Sequence, residues 1–185
     1  GGGFSYVGAI HEGFPLAIAL SKMGYNAFSI QYRTGGAQVA CEDLAQAIDF
    51  IIRHADELQV AIGDYSLWGG SAGARMAAYL GSYGTQGFIG IEHARPAAVI
   101  MGYTSHSDYT ADDPPTYALI GDNDAIASAS VMQQRVNNLQ ALGIDAEFHL
   151  YPNLRHGFGL GTGTSAEGWE KEAVRFWERH ISRKN

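Results

Sequence analysis

Tyr65-Ser66-Leu67-Trp68-Gly69-Gly70-Ser71-Ala72-Gly73, followed by Ala74-Arg75-Met76-Ala77-Ala78-Tyr79-Leu80, reads as a strand, a tight turn and a helix with a serine at the apex. Apolar residues of strand length run up to the glycines, and helix formers begin directly after the turn. A serine on such a turn is held in a strained backbone conformation that only small neighbours tolerate. Its hydroxyl is lifted clear of the sheet, where a base can reach it. This is the pattern of a nucleophile elbow. The spelling Gly-x-Ser-x-Gly is weak by itself in a chain with 24 glycines, so its weight depends on what surrounds it.

Outward from the elbow, strand-length apolar runs alternate with segments of helical period. That is the pattern of a mainly parallel sheet with helices on both faces, an α/β fold. Leu16, Leu20 and Met23, closed by Gly24, predict a helix over 13–23, and Asn26 to Tyr32 reads as a strand. Leu44, Ile48, Ile51 and Ala55 form the next helical stripe, with Asp49 and Arg53 at ion-pairing distance on the wet side. Strands follow at 65–70, 97–102, 116–121 and 146–151. A helix over Met132, Val136 and Leu139 is closed by Gly143, and a final helix carries Trp169, Ala173, Phe176, Trp177 and His180.

At 185 residues and 46% hydrophobic, the chain has the apolar mass for one globular domain over 1–185. A net charge of −7 with only 12 Lys plus Arg argues against a nucleic-acid partner, whose phosphates demand clustered cations. The single cysteine, Cys41, excludes an internal disulfide and reads as a small buried hydrophobe. No apolar run is long enough to span a membrane. Compartment, cytoplasmic or secreted, and oligomeric state stay open.

Loops after the C-terminal ends of parallel strands build active sites. Ser71 follows one strand, Asp122 and Asp124 follow the strand ending at Gly121, and His156 follows the strand ending at Tyr151. A serine hydroxyl needs a neutral imidazole to take its proton, and the imidazole needs a carboxylate to fix its tautomer. The order Ser, Asp, His on successive strand ends supplies all three, and spacing alone does not separate Asp122 from Asp124. The amide of Ala72 is a natural oxyanion donor, and the run Gly1-Gly2-Gly3-Phe4 offers Gly2 and Gly3 as further donors.

With these motifs in order, the chain resembles the α/β-hydrolase superfamily, close to bacterial acetyl esterases and acetylxylan-esterase-like enzymes. The resemblance covers essentially the whole chain. It rests on the glycine run, on Tyr32-Arg33, on the elbow, on Gly121-Asp122-Asn123-Asp124 and on His156-Gly157-Phe158. It implies Ser71 as nucleophile, His156 as general base and acid, Asp124 rather than Asp122 as the orienting acid, and an oxyanion hole from Gly2, Gly3 and Ala72. It implies no cofactor and no metal. In the family a His usually precedes the glycine run, reached from a strand in mid-sheet. Nothing precedes Gly1 here, so the resemblance leads one to expect a piece of a protein of about 250 residues that lacks its first strands. A compact five-stranded variant is the alternative.

Phe4, Tyr103 and His106 are candidates for substrate contact, the last two because they follow the strand at 97–102. The remaining histidines lack metal-binding spacing. Gly161-Thr162-Gly163-Thr164 mimics a dinucleotide fingerprint but precedes no βαβ unit, and reads as a loop before the last helix. Little sequence lies between 102 and 116, so no large lid fits there, which suits short acyl groups on a soluble or polymeric alcohol. The resemblance points further, to acetyl or similarly small esters of a small or carbohydrate alcohol. A serine peptidase of the prolyl-oligopeptidase type and a non-catalytic binding protein on the same fold are the competing expectations.

Overall fold

The computed structural model describes residues 1–181. Four strands, β1 (Ser66–Gly70), β2 (Ala98–Gly102), β3 (Thr116–Gly121) and β4 (Ala146–Tyr151), lie parallel and side by side in chain order. A π-helical turn (Ala9–Gly13) runs into α1 (Phe14–Lys22), and α2 (Ala37–Arg53) and the short α3 (Ala55–Leu58) precede β1. Helix α4 (Ala72–Tyr83) and the short α5 (Gln86–Ile89) join β1 to β2. Helix α6 (Ala129–Ala141) joins β3 to β4, and α7 (Trp169–Glu178) closes the described chain.

The pleat decides which helix covers which face, since alternate side chains of a strand point to opposite sides. Val99, Met101, Ala118 and Ile120 meet Cys41 and Ile48 of α2, Met76 and Leu80 of α4, and Met132, Val136 and Leu139 of α6. Ala98, Ile100, Tyr117 and Leu119 turn the other way, onto Trp169, Ala173 and Phe176 of α7, with Leu16 of α1 at the edge. Every residue of β2 and β3 is buried, which is why both read as continuous apolar runs rather than alternating ones. Truncating the fully buried Phe176 to Ala would cost about 3–5 kcal/mol.

Local signals explain the helix ends. Ser128 caps α6 by accepting the Val131 amide at 3.4 Å, and Gly143 takes a positive φ of 79° just beyond its end. On α2, Arg53 Nε donates to Asp49 Oδ1 at 2.9 Å, and His93 Nε2 lies 2.9 Å from the same oxygen. Those partners, His93 first, hold the Asp49 carboxyl below the usual carboxylate range. Cys41 is fully buried, and burial pushes its thiol up to about 12.

The expected strand over 26–32 does not form. A strand is defined by its ladder, and this stretch pairs with no other strand among the described residues, while β1 is the edge of the sheet. Four of the five expected strands are therefore present. One residue of that stretch is nonetheless tied in: Tyr32 is buried and its hydroxyl donates to the Gly1 carbonyl at 3.2 Å. The helix expected over 13–23 begins earlier, in the π-turn at Ala9. Residues 3–6 form turns in which the Ser5 and Tyr6 amides donate to the Gly2 carbonyl.

Candidate active site

Ser71 sits between β1 and α4 with φ 54° and ψ −117°, a backbone state that costs a non-glycine residue about 1–3 kcal/mol. The surroundings enforce it. The Ser71 amide donates to the Gly102 carbonyl at 2.9 Å, and the Ser71 carbonyl accepts from the Arg75 amide at 3.2 Å. A Cβ at Gly69 would overlap the Gly73 backbone, and one at Gly70 would enter the Tyr103 ring, within 2.6 Å of Cζ. The glycines that spelled the motif are thus where strand, turn and neighbouring loop touch.

The loop after β3 places Asp124. Its Oδ1 accepts the Ile126 and Ala127 amides, each at 2.8 Å, so the loop folds back on the carboxylate. Its side chain is 1% exposed, and Oδ2 lies 2.8 Å from His156 Nδ1. A carboxylate only accepts, so Nδ1 carries the proton and Nε2 is left to accept from the Ser71 hydroxyl 3.0 Å away. Asp122 is exposed and does something else: its Oδ1 accepts the Asn153 amide at 2.6 Å. With Asp122 N on the Tyr151 carbonyl (2.9 Å) and Asn123 N on the Leu154 carbonyl (3.1 Å), it stitches the Asp124 loop to the His156 loop.

Tyr103, directly after β2, has φ 36° and is 3% exposed. Its ring stands edge-on to His156, centroids 5.1 Å apart, and to Phe158 at 4.7 Å. Its hydroxyl donates to Glu12 Oε1 at 3.1 Å, and burial together with the Glu12 carboxylate pushes its ionisation far above the usual phenol range. Glu12, Arg75, Thr104, Ile126 and Ala127 were not singled out by the sequence. Glu12 reaches the site only through the turn at Ala9–Gly13, and no local pattern announces that.

A cavity of about 190 Å³ opens over Ser71, lined by Gly3, Phe4, Ala72, Arg75, Tyr103, Thr104, Ser105, Ile126, Ala127 and His156. Gly3 and Ala72 therefore border the space over Ser71. The Ala72 amide, at the start of α4, has no acceptor within its own helix. Gly2 lies outside this lining; its carbonyl closes the turn over Ser5 and Tyr6. The Arg75 guanidinium lies 5.9 Å from the Phe4 ring centroid. His106 does not contact the cavity: it turns inward, edge-on to Tyr79 at 4.5 Å, and is 3% exposed. The expectation that it shapes a substrate pocket is corrected by that packing. Burial, with the Arg135 and Arg75 charges, lowers its pKa to about 4.

A family model described as BD-FAE matches residues 2–96. An acetylxylan esterase from Xylanibacter ruminicola is 22% identical over 193 residues, which is 88% of this chain and 40% of that protein. The chain thus spans less than half the length of this relative. Among solved structures, an acetyl ester-xyloside bifunctional hydrolase from Caldicellulosiruptor lactoaceticus superposes with a TM-score of 0.85 at 19% identity, over 98% of this chain and 82% of that one. A carboxylesterase from Lactobacillus plantarum gives 0.83 at 19% over 98% and 84%. An α/β-hydrolase enzyme from a Medee basin deep-sea metagenome gives 0.82 at 23% over 97% and 81%. The four parallel strands with helices on both faces have the α/β-hydrolase fold.

Proposed function

This chain belongs to the BD-FAE family, and on that premise we propose that it is a serine carboxylic-ester hydrolase acting on short acyl esters of a small or carbohydrate alcohol. The observation that carries the reading is the relay Ser71 Oγ to His156 Nε2 at 3.0 Å and His156 Nδ1 to Asp124 Oδ2 at 2.8 Å, built from three loops at one end of a parallel sheet. The acetylxylan esterase relative and the esterase neighbours support the ester class.

In this reading His156 Nε2 takes the Ser71 proton as Oγ attacks the ester carbonyl. Asp124 holds the imidazole in the competent tautomer and stabilises the imidazolium. The carbonyl oxygen, now anionic, turns toward the amides of Ala72 and Gly3, with Gly2 the other candidate donor. A single donor of this kind is worth about 10²–10³ in rate. The alcohol leaves with the proton from His156, and water repeats the sequence to release the acid from Ser71. The small cavity with Phe4, Tyr103 and Thr104 in its wall suits an acetyl-sized acyl group.

Incubation with a fluorophosphonate ester, followed by peptide mass mapping, tests the reading. It expects one adduct, on Ser71, that is abolished in His156→Ala. Labelling elsewhere, or none in a folded sample, would remove Ser71 as nucleophile and favour the binding-protein alternative.

A further inference from the structure

Arg75 follows Ser71 by one turn of α4, and its amide closes that turn on the Ser71 carbonyl. The spacing puts the two Cβ atoms about 5–6 Å apart. The Arg75 side chain is exposed and stands in the wall of the cavity over the nucleophile. Among the described residues that line this cavity, it is the only one with a fixed charge. The others are apolar or hydroxyl-bearing, apart from the imidazole of His156.

Arginines elsewhere in the chain are spent on carboxylates. Arg33 pairs with Asp43, Arg53 with Asp49, Arg135 with Asp113 and Arg179 with Glu147. Arg75 meets no carboxylate among the described residues, and its guanidinium lies over the Phe4 ring instead, 5.9 Å from the centroid. An aromatic face holds the cation in place and leaves its in-plane N–H donors free for another acceptor. A planar fork of that kind matches a carboxylate through two parallel N–H···O bonds. The chain as a whole carries a charge of −7, so a small anion is repelled from most of the surface and attracted at this rim.

Position says which part of an ester would carry that carboxylate. The leaving alcohol has to lie beside His156, which returns the proton to it. Phe4 directly follows Gly3, and Arg75 lies one turn along the helix that Ala72 begins, so both border the candidate oxyanion donors rather than the imidazole. With the alcohol tied to His156, the acyl group is what extends toward Phe4 and Arg75. We propose that Arg75 selects esters whose acyl group ends in a carboxylate, half-esters of a short dicarboxylic acid of about succinyl length, and grips that carboxylate at the cavity rim. The one-turn spacing from Ser71 sets the length, since the charge must lie within a few carbons of the ester carbonyl. The inference rests on the esterase reading of Ser71 and names the acyl class that the site prefers.

The test measures kcat/KM for monomethyl succinate and for its neutral shape match, methyl 4-methylpentanoate, in the parent chain, in Arg75→Met and in Arg75→Lys. Acetoxyacetate, which carries its carboxylate on the alcohol side, is the third substrate. NMR titration of the parent chain and of Arg75→Met with succinate and with succinamide accompanies the kinetics. The charged-to-neutral ratio should fall at least tenfold in Arg75→Met, recover in part in Arg75→Lys, and fall with added salt in the parent chain. Succinate but not succinamide should shift the amides of Phe4 and Arg75, and Arg75→Met should lose that response. An unchanged ratio in a variant that still hydrolyses the neutral ester overturns the proposal and leaves the esterase reading intact. A loss in Arg75→Met confined to acetoxyacetate overturns the acyl assignment. If the parent chain hydrolyses none of the three esters, the esterase reading fails, and the succinate titration alone decides the Arg75 site: no shift there overturns it. Should Arg75→Met not fold, Arg75→Gln takes its place.

Discussion

The Tyr103 hydroxyl donates to Glu12 Oε1 at 3.1 Å while the Tyr103 ring stands edge-on to His156, so a residue far away in the chain fixes the plane against which the imidazole packs. The ring and the hydroxyl have separable tasks. Tyr103→Phe keeps the ring and should leave kcat within about threefold, while losing about 1–3 kcal/mol of stability because the Glu12 oxygen is left without a donor. Tyr103→Ala frees the imidazole and opens the wall of the cavity over Ser71, and should lower kcat/KM more than tenfold. Steady-state kinetics beside urea unfolding of both variants checks the split.

Asp124→Asn retains an oxygen for the Ile126 and Ala127 amides but no longer fixes the imidazole tautomer. We expect kcat to fall by about 10³–10⁴ with little change in melting temperature. Asp122→Asn also keeps its acceptor for the Asn153 amide and should retain most of the activity on ethyl acetate. Comparable losses in the two variants would show that the acid had been assigned to the wrong carboxylate.

His106 gives stability a pH dependence on the acid side. Its folded pKa lies near 4, below the ordinary 6.5, because burial comes first and Arg135 and Arg75 add to it, against Asp108. The unfolded chain therefore binds this proton at higher pH than the folded one. The contribution is complete above pH 6.5 and is lost as pH falls from 6.5 to 4, amounting to about 3 kcal/mol at 1.36 kcal/mol per unit. Urea unfolding across that window should show His106→Gln with a shallower slope than the parent; parallel slopes would assign the effect elsewhere.

Gly69→Ala would drive a methyl group into the Gly73 backbone, with no flexible side chain to yield. We expect a loss of about 3 kcal/mol or more and, in whatever remains folded, a displaced Ser71 that reacts slowly with the fluorophosphonate. Circular dichroism melts and labelling rates measure the two effects separately.

What the sequence made legible was what local pattern controls. β2 and β3 announce themselves as buried apolar runs, α6 by its apolar stripe and closing glycine, and the Ser71 turn by glycines that the contacts at Gly69 and Gly70 explain. Ser71, Asp124 and His156 were findable because each follows the end of a parallel strand, and register then brings those ends together. Residues 26–32 were misread because apolar spacing cannot supply a hydrogen-bonding neighbour. His106 was misread because a loop side chain takes its direction from tertiary packing, here from Tyr79. Glu12 and Ile126 carry no local signature at all. One arrives through a π-turn, and the other is exposed by the way its loop folds onto Asp124.

The central claim is that Ser71 is the nucleophile of an ester hydrolase, and hydrolysis of p-nitrophenyl acetate by the chain and by Ser71→Ala tests it most directly. The account predicts turnover that saturates with substrate in the parent chain and falls by at least 10³ in the variant, with both folded by circular dichroism. Equal rates in the two, or no turnover by a folded parent chain, would contradict it.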